Sequence, residues 1–76
     1  MTLLTKGMTM ASLGEDYPKQ QARVREVLKL YQEMGPAGRF GAAMIEADLR
    51  EADEAAVSGD IVRMLSAYHK LKEIES

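Results

Sequence analysis

The 76-residue chain has no cysteine and no tryptophan, and only one phenylalanine, one histidine and two prolines. Without cysteine there is neither a disulfide nor a thiolate-bound structural zinc to hold a small domain together. No stretch approaches the roughly 18 consecutive apolar residues of a transmembrane helix. Met1–Gly7 carries one cation, Lys6, and lacks the apolar run of a secretory signal, so the expected location is cytoplasmic, with no membrane contact. Positive charge is also sparse: Lys and Arg number 10 against 12 Asp and Glu, a formal net charge of −2. The cations lean toward the N-terminal part (Lys6, Lys19, Arg23, Arg25, Lys29) and the anions toward the rest. A polyanion partner draws its affinity from counterions released along a dense cationic stripe, which is missing, and nucleic acid is disfavoured as a partner.

What is present is helical patterning. Residues 1–15 show no sustained period and read as a flexible N-terminal arm. A capping box at Ser12 and Glu15 competes with that reading, but a helix begun at Ser12 places Pro18 well inside it, where the ring clashes with the preceding turn. A start near Tyr17 suits Pro18 better. Val24, Val27, Leu28, Tyr31 and Met34 then recur at spacings of three and four, predicting a first helix over about 17–34 that stops at Gly35-Pro36. A second helix over about 39–57 follows from Ile45, Leu49, Ala52 and Ala56, with Phe40 and Met44 on an adjacent stripe; its many alanines let another helix approach closely. Gly59 suits a left-handed helix stop and Asp60 an N-cap, so a third helix over about 61–74 folds back on the second. Its buried side is read as Ile61, Met64, Leu65, Tyr68, Leu71 and Ile74. The expected architecture is all-α: one domain over 16–76, three short helices, and a C-terminal antiparallel hairpin.

A catalytic centre draws a nucleophile, base or metal cluster from several positions, and no such pattern stands in this chain. His69 and Glu73 are four apart on one helix face, but nothing nearby supplies a reacting partner. The acidic run Glu46, Asp48, Glu51, Asp53 and Glu54 lacks the glycine bend of a calcium loop and the Glu-x-x-His of a di-iron bundle, so it reads as a solvated helix face. Gly35-Pro36-Ala37-Gly38-Arg39-Phe40-Gly41 has glycines but no preceding strand and no lysine, and reads as a linker rather than a phosphate loop. No catalytic residue, cofactor or metal is expected.

The chain is instead rich in six methionines and three tyrosines, residue types that fill cores and also anchor interfaces. A core of this size supplies no more than about 3–5 kcal/mol, and with no covalent or metal staple a homodimer is expected to bury the surplus apolar surface. The candidate interface residues are Tyr31, Met34, Phe40 and Tyr68; packing inside a monomeric three-helix core is the alternative fate of the same side chains.

The pattern Ile45-Glu46-x-x-Leu49-x-x-Ala52-Asp53-x-Ala55, then Ser58-Gly59-Asp60 and Met64-Leu65-x-x-Tyr68-x-x-Leu71-Lys72, resembles small helical accessory proteins from the early regions of Mu-like transposable phages and prophages. The resemblance spans residues 38–75. It implies a non-enzymatic protein that binds and inhibits or otherwise modulates a host protein, and it carries no site residues of its own. The alternative is a small DNA-binding regulator that touches phosphates through Lys19, Arg23 and Arg25.

Overall fold

The computed structural model describes residues 10–74. Within them lie three helices, α1 (Met10–Glu33), α2 (Arg39–Ser58) and α3 (Ile61–Glu73), with a 3-10 turn at Gly35–Gly38 between the first two. The helices run up, down and up. Tyr17 and Gln21 of α1 meet Ala52 and Asp53 of α2, whereas Gln32 meets Glu46, which makes that pair antiparallel. Asp16 and Arg23 meet Tyr68 and the end of α3, which makes α1 and α3 parallel.

The α2–α3 hairpin follows from local chemistry. Gly59 adopts φ +74° and returns its N–H to the Ala55 carbonyl at 3.2 Å. That left-handed conformation costs a residue with a Cβ dearly and glycine almost nothing. The Ser58 hydroxyl donates to the same carbonyl at 2.8 Å and accepts from the Asp60 amide at 3.1 Å. The Asp60 carboxylate then accepts from the amides of Val62 and Arg63, capping α3.

The start of α1 corrects the sequence expectation. The helix is already formed at Met10, seven residues before the expected start, and Pro18 lies inside it. Positions 10–15 of the expected arm are therefore helical, and positions 1–9 lie outside the described residues. A proline in a helix interior costs about 3 kcal/mol or more. Tertiary burial offsets it: Leu13 and Tyr17 are 4% and 3% exposed, worth about 1.5–3 kcal/mol each, and the Tyr17 hydroxyl donates to the Ala52 carbonyl at 2.8 Å. The Pro18 ring itself faces solvent.

Val24, Val27, Ile45, Leu49, Ala52, Ala55, Ala67, Tyr68 and Leu71 fill the core between the three helices. Ala52 and Ala55 are fully buried, so the small face of α2 is where its neighbours approach. Leu65 is only half-buried at the core edge, and Ile61 is exposed, because α3 turns both toward solvent near the hairpin. At the other end, Gly38 and Gly41 let α1 and α2 close on each other. A Cβ on Gly38 would stand 2.2 Å from the Tyr31 carbonyl oxygen, and one on Gly41 would stand 2.6 Å from the Tyr31 ring. The glycines of the linker thus serve packing as well as turning.

Candidate interaction surface

α3 has 13 residues and α2 has 20. At about 1.5 Å per residue, α3 stops roughly 10 Å short of the far end of its neighbour. Among the described residues, the ends of α1 and α2 continue beyond Ile74 with no third helix against them. Large apolar side chains are exposed there: Leu30 (52%) on α1 and Met34 (54%) just past its end, Phe40 (77%) and Met44 (54%) one turn apart on α2. A cleft of about 280 Å³ opens beside them, lined by Tyr31, Gly41, Met44, Ile45 and Ile74 with the carboxylates of Asp48 and Glu73. A smaller apolar group, Val57, Ile61 and Val62, lies at the hairpin turn.

Of the four expected interface residues, Met34 and Phe40 belong to this surface. Tyr31 contributes half-buried, its ring on the backbone of Gly41. Tyr68 does not belong to it. It is 8% exposed, its ring stacks on Tyr17 at 6.2 Å between centroids, and its hydroxyl donates to the Asp16 carboxylate at 2.5 Å. That hydrogen bond holds the Asp16 carboxyl below its usual value and pushes the Tyr68 phenol above its own. Burial raises the Tyr17 phenol as well. The aromatic pair is thus core with a polar edge, and Lys72 sits 5.4 Å above the Tyr68 ring on its outer side. Leu30 was not among the expected interface residues, and its place one turn before Met34 was the signal that could have found it.

The three cations of the DNA-binding alternative do not form one surface. Arg23 directs its guanidinium at the C-terminus of α3, donating to the carbonyls of Leu71 at 2.7 Å and Ile74 at 2.8 Å. Arg25 pairs with Asp53 of α2 at 2.9 Å. Only Lys19 stands exposed without such an engagement among the described residues.

Members of the acidic run also tie elements together while their side chains stay partly in solvent. Asp53 takes Arg25 and Gln21, and Glu51 takes Arg63 through a two-pronged contact at 2.9 Å that lowers the carboxyl and raises the guanidinium. Among the described residues no three His, Cys, Asp or Glu side chains converge as metal ligands, and no helix is long and apolar enough to cross a membrane. Compared with known proteins, the chain matches no family model, no curated protein and no solved structure.

Proposed function

We propose that this chain is a non-enzymatic protein–protein interaction module that works through the uncovered apolar end of α1 and α2. The observation that supports this reading is the exposure of Leu30, Met34, Phe40 and Met44 where α1 ends and α2 begins, with Met44 also lining a cleft. Aromatic side chains anchor interfaces because they bury much area for few frozen torsions, and methionine adapts to the shape it meets. The surface suits an apolar partner segment laid across two helix ends. The resemblance over residues 38–75 adds a class of partner, a host protein whose activity the chain modulates. The DNA-binding alternative retains one of its three cations, too few for a stripe that neutralises successive phosphates.

Photocrosslinking tests the reading. A photoreactive phenylalanine analogue at position 40, in the cells that make the protein, is expected to give protein adducts, and the same analogue at position 19 is not. Adducts to nucleic acid from position 19, with none from position 40, would replace this reading by the DNA-binding one.

A further inference from the structure

The uncovered end has a shape that fits its own copy. Phe40, Ala43, Met44 and Ala47 follow one another along the outward side of α2, all exposed. Large and small side chains alternate there over two turns. Arg39 and Glu46 lie together along one edge of that side, where with Ala42, Ala43, Tyr31 and Gln32 they border a second shallow cleft. Among the described residues Arg39 has no ion-pair partner, and Glu46 accepts only a 3.2 Å hydrogen bond from Gln32.

Building on the proposed interaction surface, we infer that its occupant is a second copy of this chain, docked with α2 antiparallel to its partner about a twofold axis near Ala43. A twofold axis between antiparallel helices brings each edge against the same edge of the other copy. An edge that carries a cation and an anion one either side of the axis therefore matches itself. Arg39 and Glu46 stand at nearly equal distances from Ala42 and Ala43, so each Arg39 meets the other copy's Glu46 and the pair forms twice. In that register each Phe40 falls between Met44 and Ala47 of the other copy, a large ring seated beside a small residue. The alanines let the two helices close to packing distance. The match is one of charge and of size, on residues that the monomer leaves exposed.

Sedimentation equilibrium of the full chain reads the outcome. The wild type is expected to dimerise in the micromolar range, and Phe40→Ala to weaken the dimer by at least about tenfold, as the loss of a central anchor does. Its helical circular dichroism should stay unchanged because Phe40 is solvent-exposed in the monomer. Arg39→Glu and Glu46→Arg should each weaken the dimer, and the double variant should recover it. That recovery is the signature of the antiparallel register, and a merely apolar contact would not show it. A wild type that stays monomeric throughout the micromolar range overturns the inference, and position-40 photocrosslinking then decides separately whether a different protein uses the surface. A dimer unmoved by Phe40→Ala, or one that the double variant fails to restore, overturns it as well.

Discussion

Arg23 offers the sharpest test of the fold, because the sequence suggests a phosphate contact and the structure shows a helix clamp. Its two guanidinium nitrogens donate to the carbonyls of Leu71 and Ile74, and its third nitrogen donates to the Gln20 side chain at 2.9 Å. Hydrogen bonds to a charged group contribute about 1.5–3 kcal/mol each. The residue is only half-buried and water can reach helix-end carbonyls once it is gone, so Arg23→Met is expected to cost about 2 kcal/mol rather than the full pair. For a domain this size each kcal/mol moves the thermal midpoint by about 4–8 °C, which gives a fall of about 10 °C. Arg23→Lys keeps a positive charge at the α3 C-terminus, worth about 0.3–1 kcal/mol, but not the planar fork, so it should fall in between. Thermal and urea unfolding followed by circular dichroism measure both. A wild-type midpoint for Arg23→Met would refute the clamp, and if binding to duplex DNA were lost in the same variant, the phosphate role would be restored.

Leu71 is fully buried, and Leu71→Ala should cost about 2–5 kcal/mol in urea unfolding, whereas the half-buried Leu65→Ala should cost clearly less. Asp60→Ala removes the cap of α3 and should lose about 0.5–2 kcal/mol; an unchanged midpoint would show the cap to be idle. Gly38→Ala drives a methyl into the Tyr31 carbonyl and should cost about 1–3 kcal/mol, although alanine normally favours helix over glycine. The Asp16 carboxyl is depressed in the folded state, so its stabilisation is present above the unfolded value and lost as pH falls through the lowered folded one. The Tyr68 phenol is raised, so its share is full below the unfolded value and lost as pH rises through the folded one. Tyr68→Phe should therefore flatten the stability profile at both extremes, and a profile parallel to wild type would contradict the coupling.

The hairpin was legible because its determinants are local. Ser58, Gly59 and Asp60 each satisfy backbone groups within four residues, and such chemistry reads the same in a sequence as in a fold. The start of α1 was not legible for the opposite reason. Pro18 declares its cost to its own turn, while the burial that offsets it comes from Tyr17 reaching Ala52 and Tyr68, 35 and 51 residues further along the chain. Arg23 shows the same asymmetry, since its partners are carbonyls 48 and 51 residues away that carry no side-chain signature. Tyr68 was partly legible: it shares the stripe of Leu71, and that periodicity pointed to burial more reliably than its residue type pointed to an interface. Phe40 lies beside the core stripe of α2 and is left in water, but Met34 and Ile61 sit on expected stripes and are exposed as well, because each lies at a helix end.

The clamp and the exposed apolar surface meet at the end of α3. For α3 to continue as a helix, the Leu71 carbonyl would have to accept from an amide four residues on. That oxygen instead takes the Arg23 guanidinium at 2.7 Å and the Ile74 amide at 3.1 Å, and Ile74 turns to an extended conformation with φ −78° and ψ 126°. Arg23 thus supplies the donors that an ended helix lacks and makes termination at Glu73 cheap. The cation in α1 thus pins the end of α3 where Ile74 lines the cleft beside the exposed Met44.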